Sequence, residues 1–338
     1  MNARERVLRA LALQPSDRVP VVPFIISFAA RFAGVRFVDY ATNPSVLAKS
    51  QVAVARRFQI DAVYVDSDPV VEIEAMGARV HYPEDESAVA LEPALKAPED
   101  VKSLRVPDPE KDGRLPVWLN AIAILKETVG EEFAIFANIN GPFAAAAQLL
   151  GILETAKRMR RSPSSLHELL DLTTRTIVDF MKAEIRAGAD AIILGDPMSS
   201  TSVISPKEFE QFSSPYIRQV IHHAQGKPVI LHICGDTTRV IDEMVQTGAT
   251  YLELDSNVNL AEVRRKVGNT VGLIGNVSPT LLLTGTQEAV EEGCRKAIQA
   301  GGLSGTYILG TGCELPKNTP YANLDTMVRA AEKYGKYA

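Results

Sequence analysis

Residues 165–194, with the sequence SLHELLDLTTRTIVDFMKAEIRAGADAIIL, contain the pattern that decides the fold. Residues 165–187 predict a helix, because their apolar side chains recur on one side with a period of about 3.6 residues. Residues 191–194 (AIIL) form a short apolar run, which is typical of a strand that is buried on both faces. A helix that leads into a buried strand indicates an α/β fold with a parallel sheet.

The same alternation extends outward over most of the chain. It predicts eight strands, at residues 19–24, 61–65, 133–139, 191–194, 228–234, 251–255, 270–274 and 306–309. This count favours a closed (β/α)8 barrel of the TIM type over an open doubly wound sheet. No glycine-rich dinucleotide fingerprint follows any of these strands, which agrees with the barrel. We therefore predict a single α/β barrel domain over residues 1–338.

Two segments interrupt the alternation after the second predicted strand. Residues 78–91 (ARVHYPEDESAVAL) predict an inserted hairpin with its turn at residues 83–86. Residues 95–109 are charged and punctuated by prolines, and they predict a surface excursion before a helix that starts near Leu115.

Composition and charge exclude several classes of protein. The chain has 338 residues, 46% of them hydrophobic, and its net charge of −5 with no basic stripe argues against nucleic acid as a partner. Its apolar runs are shorter than the about 20 residues of a membrane span, and its start does not read as a signal peptide. Three cysteines do not make a disulfide framework, so we expect a reducing cytoplasm.

Polar residues gather at the carboxyl ends of the predicted strands, where (β/α)8 barrels carry their chemistry. We predict that residues at these ends contact the metal, substrate or cofactor. In chain order they are Asp66, Asp68, Asn140, Asp196, His232, Cys234, Asp255, Asn276 and Cys313. Of these, Asn140 and Asn276 are predicted to contact the cofactor, and Asp196 and Asp255 are predicted to be catalytic.

His232 and Cys234 form the sharpest motif. Residues i and i+2 of a strand point to the same face, with Cα atoms about 7 Å apart, so both side chains can reach one ion. Cys313 follows the eighth predicted strand, where Gly310 and Gly312 let the backbone turn inward. Thiolates favour zinc over magnesium or calcium, and three protein ligands with one open position are typical of catalytic zinc. The alternative is two buried structural cysteines and a core histidine.

The carboxylates nearby have two interpretations each. Asp255 shares strand parity with Glu253, and we predict that Asp255 is a fourth ligand or accepts a hydrogen bond from His232. It could equally be a helix N-cap or a loop residue. Asp196 follows an apolar strand, where a carboxylate is costly unless it is used or paired, so it is predicted to line the substrate pocket. Cys294 lies in a helical stretch and is predicted to be an ordinary packing residue.

The chain resembles the uroporphyrinogen decarboxylase superfamily over nearly its whole length. The matching segments are RVP at residues 18–20, AGADAIILGDP at 187–197, ISP at 204–206 with Phe209 and Phe212, PY at 215–216, LHICGDT at 231–237 and GLIGNVSP at 272–279. The resemblance implies a (β/α)8 barrel, in agreement with the strand count.

Within this superfamily, the chain looks like the branch of methylcobamide:coenzyme M methyltransferases. Decarboxylases carry a double-arginine segment near the N-terminus, where this chain has SFAARFAG with only Arg31. They also carry a Gly-His-Gly near the last strand, where this chain has GTG followed by Cys313. The methyltransferase signature is HxC followed much later by Cys, and His232, Cys234 and Cys313 match it.

Cobalamin-independent methionine synthase is similar in its use of His, Cys, a carboxylate and a second Cys on zinc. That resemblance implies that the carboxylate falls near Asp255.

The resemblance implies a zinc-dependent methyltransferase that moves a methyl group between a methylated corrinoid and a thiol such as coenzyme M. A thiol bound to zinc loses its proton and becomes a nucleophile. The chain has no Asp-x-His-x-x-Gly corrinoid-binding motif, so the corrinoid is expected on a separate, transient partner protein. Barrels of this kind often dimerise, and a homodimer is expected. Tetrahydrofolate as acceptor, a metal-free porphyrinogen-type decarboxylase and a non-enzymatic tetrapyrrole-binding protein are the alternatives.

Overall fold

The short apolar runs of the sequence form the strands of a parallel sheet. Their side chains are buried on both faces of this sheet, as their apolar composition predicts. The computed structural model describes residues 1–96 and 98–337. The strands in this part are β1 (Ala62–Val65), β2 (Val80–His81), β3 (Val89–Ala90), β4 (Ala134–Asn140), β5 (Ala191–Gly195), β6 (Val229–Ile233), β7 (Tyr251–Leu254), β8 (Gly272–Val277) and β9 (Tyr307–Thr311). Seven of them pair in parallel in the order β1-β4-β5-β6-β7-β8-β9, which is also their order along the chain. These seven confirm the second to eighth predicted strands to within three residues at either end.

Residues 19–24 close the barrel without forming a regular strand. Val21 makes a single parallel bridge to Leu309 of β9, and the Asp61 N–H donates to the Val21 carbonyl at 2.9 Å. The segment therefore lies between β9 and β1, where a first strand was predicted. The prediction of a regular strand there is wrong, because Pro20 and Pro23 have no N–H to donate to a ladder. The (β/α)8 fold class is confirmed.

Helices cover the outside of the sheet. They are α1 (Ala3–Leu11), α2 (Ser27–Ala33), α3 (Phe37–Thr42), α4 (Pro44–Phe58), α5 (Val71–Ala75), α6 (Leu115–Val129), α7 (Pro142–Leu150), α8 (Ile152–Arg161), α9 (Pro163–Ala187), α10 (Pro206–Phe212), α11 (Ser214–His222), α12 (Ile241–Gln246), α13 (Leu260–Val267), α14 (Pro279–Thr284), α15 (Gln287–Gly301) and α16 (Tyr321–Tyr334). The predicted helix at residues 165–187 is α9, which packs its apolar side against α6 and α7. No helix among the described residues is both long and apolar enough to cross a bilayer.

The two insertions are present as expected. Strands β2 and β3 pair antiparallel, with Val80 opposite Ala90, so the predicted hairpin is confirmed. Within the predicted excursion at residues 95–109, a 3-10 helix spans Pro98–Ser103, and α6 then begins at Leu115. Ala97, which belongs to that predicted excursion, lies outside the described residues.

The amino-terminal end of the barrel is held by four charged side chains, which we call the basal cluster: Arg6, Asp17, Arg18 and Asp61. The Asp61 carboxylate accepts from Arg6 Nη1 at 2.6 Å and from Arg18 Nη1 at 2.9 Å. It also accepts from the backbone N–H of Val21 at 2.7 Å. A buried carboxylate thus ties the closing segment to β1.

Candidate metal centre and its cavity

Three predicted metal ligands converge at the carboxyl ends of the strands. His232 lies in β6, Cys234 follows this strand by one residue, and Cys313 lies two residues beyond β9. The His232 Nε2 and Cys234 Sγ atoms are 3.2 Å apart, and one ligand atom from each of the three residues lies within 4.8 Å of the others. Ligands on a tetrahedral zinc ion lie about 3.5–3.8 Å apart, given bond lengths near 2.0–2.3 Å. The spacing is therefore right for one zinc ion.

The electrostatics of this group favour a negatively charged sulfur. Hydrogen bonds from Cys234 and His232 lower the pKa of the Cys313 thiol, against the effect of burial, whereas the hydrogen bond with Cys313 and burial raise the pKa of Cys234. Burial by itself lowers the pKa of His232, but Cys313 and Glu253 outweigh it and raise that pKa to about 9. A thiolate is the form of cysteine that binds a soft cation. The three side chains therefore form a donor set suited to zinc.

Glu253 is the carboxylate that faces His232. Its Oε2 lies 3.3 Å from His232 Nδ1, and its side chain is only 1% exposed. The register of β6 and β7 places the two residues directly opposite each other. The sequence prediction assigned this position beside His232 to Asp255, and the structure corrects that assignment. Strand parity was the available signal, since Glu253 and Asp255 have the same parity and only the register separates them.

Asp255 instead holds the turn that follows Cys234. One carboxylate oxygen accepts from the Gly235 N–H at 2.8 Å, and the other accepts from the Asn257 N–H at 2.8 Å. Gly235 has a φ of 80°, which glycine adopts without strain. Asp255 is therefore a loop residue, which was one of its two predicted interpretations. Its contact with Gly235 fixes the backbone next to Cys234.

A cavity of about 170 Å³ opens above the three ligands. Residues from most of the strand ends line it: Phe24, Ile26, Asp66, Ser67, Asp68, Pro69, Ser87, Asn138, Asn140, Gly195, Pro197, His232, Cys234, Cys313 and Glu314. Asp66, Asp68 and Asn140 were predicted at this edge and are among them. Ser87 belongs to the inserted hairpin segment, so the insertion forms part of the cavity wall.

The two predicted cofactor-contacting asparagines differ in position. Asn140 lines the cavity, but its Nδ2 donates to Glu72 Oε2 and to the Pro69 carbonyl, both at 2.7 Å. Asn276 donates from Nδ2 to the carbonyls of Asp255 at 3.0 Å and Val258 at 2.8 Å, and it is not among the described residues that line the cavity. Both side chains thus brace loops at the barrel rim.

Asp196 caps a helix behind the cavity. It is fully buried, and its carboxylate accepts from the backbone N–H groups of Phe143 at 3.3 Å and Ala144 at 2.9 Å, at the start of α7. Burial raises its pKa to about 7, although these hydrogen bonds lower it. Its two neighbours, Gly195 and Pro197, line the cavity, whereas Asp196 is not among the described lining residues.

Sequence reasoning did not single out Asn138 and Glu314. The Asn138 Nδ2 donates to Asp66 Oδ2 at 2.6 Å. The Glu314 Oε1 accepts from the Ser27 N–H at 3.0 Å and from the Ser27 hydroxyl at 2.5 Å. Glu314 directly follows Cys313, and Asn138 has the inward strand parity of Asn140, so adjacency and parity were the signals that could have found them.

The barrel and the ligand group at its rim define a TIM-barrel protein with a candidate metal centre. The chain belongs to the uroporphyrinogen decarboxylase (URO-D) family, whose sequence model matches residues 2–334.

Relatives within this family include both methyltransferases and decarboxylases. The chain is 27% identical over 340 residues to the methylcobamide:CoM methyltransferase MtaA of Methanosarcina barkeri, with 98% of each chain covered. It is 30% identical over 333 residues to a methylated-thiol–coenzyme M methyltransferase of Methanosarcina mazei, covering 96% of this chain and 88% of that one. A uroporphyrinogen decarboxylase of Vibrio cholerae is 26% identical, with 98% and 97% covered.

A solved structure agrees with the same group of relatives. A methyltransferase from Methanosarcina mazei superposes with a TM-score of 0.91 at 27% identity, and 99% of each chain is covered. These findings confirm the predicted family and the prediction that the chain is an enzyme, and they favour methyl transfer as its activity. The alternative of a non-enzymatic tetrapyrrole-binding protein is therefore wrong.

Proposed function

We propose that this protein transfers a methyl group from a methylated corrinoid, carried by a separate protein, to a thiol. In this proposal, His232, Cys234 and Cys313 hold a zinc ion that activates the thiol. The observation that carries the proposal is the convergence of these three ligand atoms within 4.8 Å at the cavity.

The donor set supports zinc in particular. Two thiols and one imidazole are ligands that zinc prefers, and a site with three protein ligands keeps a position for substrate. Glu253 next to His232 Nδ1 resembles the carboxylate that commonly orients a metal-binding histidine and fixes its tautomer. When bound, zinc would supply the positive charge that lets a thiol lose its proton at neutral pH.

The chain's own residues then have defined roles. With zinc bound, Cys234 and Cys313 would provide two thiolate ligands, and Glu253 would keep the His232 ring in place. Asp255 holds the Gly235 N–H and so fixes the loop that carries Cys234. The acceptor sulfur forms a bond to the methyl carbon as the cobalt–carbon bond of the corrinoid breaks. The electron pair of that bond stays with the cobalt.

The size of the cavity suits a small acceptor rather than a whole corrinoid. Its volume is about 170 Å³, whereas pockets for drug-sized ligands span about 300–1,000 Å³. A small acceptor fits inside this cavity, whereas a corrin macrocycle would bind at its opening. The separate corrinoid protein as partner, the homodimer and the cytoplasmic location of this protein remain predictions.

Zinc content and methyl transfer together test this proposal. We expect about one zinc ion per chain in tag-free protein and loss of methylcobalamin absorbance on addition of a thiol. His232→Ala, Cys234→Ser and Cys313→Ser should lose zinc and lower the transfer rate by more than about 100-fold, because even the loss of an outer partner costs 10–100-fold. Cys294→Ala is the matched control, because Cys294 lies in α15, outside the ligand group, and should keep both properties.

Two results would contradict the proposal. Wild-type protein without stoichiometric zinc, with His232→Ala unchanged in activity, would favour a metal-free reaction such as decarboxylation of a porphyrinogen. If the zinc-loaded protein methylates tetrahydrofolate and no thiol, the acceptor in the proposal is wrong, whereas the zinc site is retained.

A further inference from the structure

The cavity above the ligand group is lined by acidic side chains, of which only Asp68 is paired with an arginine among the described residues. Apart from the three metal ligands, its ionisable lining residues are Asp66, Asp68 and Glu314. None of the described lining residues is lysine or arginine. Apart from His232, a bound molecule therefore meets carboxyl groups and no basic side chain among the described lining residues.

The nearest buried guanidinium is already neutralised. Arg114 binds Asp68 with both terminal nitrogens, at 2.6 and 2.8 Å, and its Nε donates to Glu74 Oε2 at 2.7 Å. Arg114 is only 5% exposed and does not line the cavity among the described residues. The single positive charge of Arg114 is thus shared between the carboxylates of Asp68 and Glu74, and it is not available to an anionic ligand.

Asp66 and Asn138 both line the cavity and carry acceptor atoms. Asp66 is 3% exposed, and its only side-chain donor in the described part of the chain is Asn138 Nδ2, at 2.6 Å. Because that amide group is committed to Asp66, the opposite atom is Asn138 Oδ1, which is buried and has no hydrogen-bond partner among the described residues. A buried acceptor without a donor is costly, so a ligand that donates here is favoured.

An anionic ligand would be disfavoured in this cavity, because acidic side chains line it and no lysine or arginine does so among the described residues. Burial raises the pKa of Asp66 well above its usual range, and the nearby charges of Glu314 and Asp68 raise it further. A sulfonate or carboxylate would lose its hydration here with no lysine or arginine in the described lining to pair with, whereas an ammonium group could pair with Asp66 and favour its ionised form.

Positive side chains do occur in a neighbouring cavity. Arg31 and Lys317 line it together with Ser27, whose hydroxyl donates to Glu314 in the wall of the first cavity. Lys317 already contacts Glu86 Oε1 at 2.5 Å. Ser27 lines the neighbouring cavity and Glu314 lines the first one, so the Ser27–Glu314 contact joins the walls of the two cavities.

We infer that the acceptor is a small thiol whose second functional group donates hydrogen bonds, as an amine does, and is not an anion. This inference rests on the proposed function and names the class of thiol that the same cavity takes. This class of thiol differs from coenzyme M, the sulfonate-bearing thiol that the names of the relatives contain.

A matched series of thiols tests the inference. The acceptors share HS–CH2–CH2–X, where X is an ammonium, hydroxyl, sulfonate or carboxylate group. For the zinc-loaded protein with methylcobalamin, kcat/KM is measured for each thiol and corrected for its thiolate fraction, and calorimetry gives each Kd. We expect the ammonium thiol to exceed both anionic thiols by at least about tenfold in both quantities, with the hydroxyl thiol between them.

Asp66→Asn separates charge from shape, because it keeps the size of the side chain. It should lower the ratio of kcat/KM for the ammonium thiol over the hydroxyl thiol by at least about tenfold, with zinc content and thermal stability as folding checks. An Arg31→Ala variant should leave the order of the four thiols as in the wild type, since Arg31 lies in the other cavity.

Three results would overturn the inference. Equal or higher kcat/KM for the sulfonate thiol in the wild type would do so, as would an ammonium preference that persists in Asp66→Asn. A sulfonate preference that disappears in Arg31→Ala would place the charged end of the acceptor in the neighbouring cavity. If no thiol is methylated although zinc is bound, the proposed function itself fails, which differs from a reversed order of thiols.

Discussion

Two buried carboxylates at opposite ends of the barrel have opposite surroundings. Asp61, at the amino-terminal end, is 1% exposed and accepts from Arg6, Arg18 and a backbone N–H. Glu253, at the carboxyl-terminal end, is also 1% exposed. Neither of its carboxylate oxygens has a hydrogen-bond partner in the described part of the chain, and its nearest charged neighbour is His232.

The difference separates a structural end of the barrel from a chemical one. A buried charge is tolerated when partners neutralise it, and Asp61 uses its partners to hold the closing segment. Glu253 faces His232 but accepts no hydrogen bond among the described residues, and such local conflicts are expected at functional sites rather than in a core. In TIM barrels, residues at the amino-terminal face serve stability, whereas the carboxyl-terminal face carries the chemistry. The same chemical change at the two ends should therefore have different consequences.

The largest effect on stability is expected from Asp61→Asn. Removal of this charge leaves the half-buried Arg18 without its counter-charge and the buried Arg6 with Asp17 alone, which should lower the free energy of unfolding by about 3–5 kcal/mol. Urea denaturation measures this loss. The control is Asp325→Asn, which breaks the exposed pair with Arg57 and should cost less than about 1 kcal/mol. Equal losses in the two variants would remove the distinction between the barrel ends.

The same change at the other end, Glu253→Gln, should affect the metal and spare the fold. We expect zinc affinity, measured by competition with a chelator, to fall about 10–100-fold, because the orienting charge beside His232 is lost. The free energy of unfolding of the zinc-free protein should fall by much less than in Asp61→Asn, since Glu253 accepts no hydrogen bond among the described residues and faces one histidine, which can lose its proton. A loss of stability as large as that of Asp61→Asn would show that Glu253 has a structural role.

A smaller effect is expected from Asp196→Ala, which removes the cap at the start of α7. Loss of this acceptor should cost about 1 kcal/mol of stability. Burial raises the pKa of Asp196 from its usual 3.8 to about 7, so between these values the folded protein keeps a proton that the unfolded chain has lost. The contribution of Asp196 to stability therefore falls as the pH rises through this window. The deficit of the variant should be larger at about pH 5 than at about pH 7.5, and an unchanged or growing deficit would contradict this assignment.

Much of the site could be predicted because its signals are local. His232 and Cys234 lie two residues apart in an apolar run, which by itself places both side chains on one face of a strand. Cys313 follows another run of the same kind, and parallel strands bring their carboxyl ends to one rim. The family resemblance then grouped the three residues.

The choice between neighbouring carboxylates could not be predicted in this way. Glu253 and Asp255 have the same strand parity, and only the pairing of β6 with β7 places Glu253 opposite His232. Asp196 follows its strand as a site residue would, yet it turns toward the start of α7. A side chain just beyond a strand end is aimed by the loop around it, and loop geometry has no period in the sequence.

The sequence by itself therefore determined the barrel, the position of its inserted hairpin and the three candidate metal ligands. Each of these depends on the spacing of apolar and ligand residues along a single strand or helix. Only the tertiary structure decided which carboxylate faces His232, that Arg114 neutralises Asp68 rather than serving the cavity, and that a proline-containing segment closes the barrel. The physical reason is that these outcomes depend on strand register and on pairs of residues distant in sequence, which local periodicity does not encode.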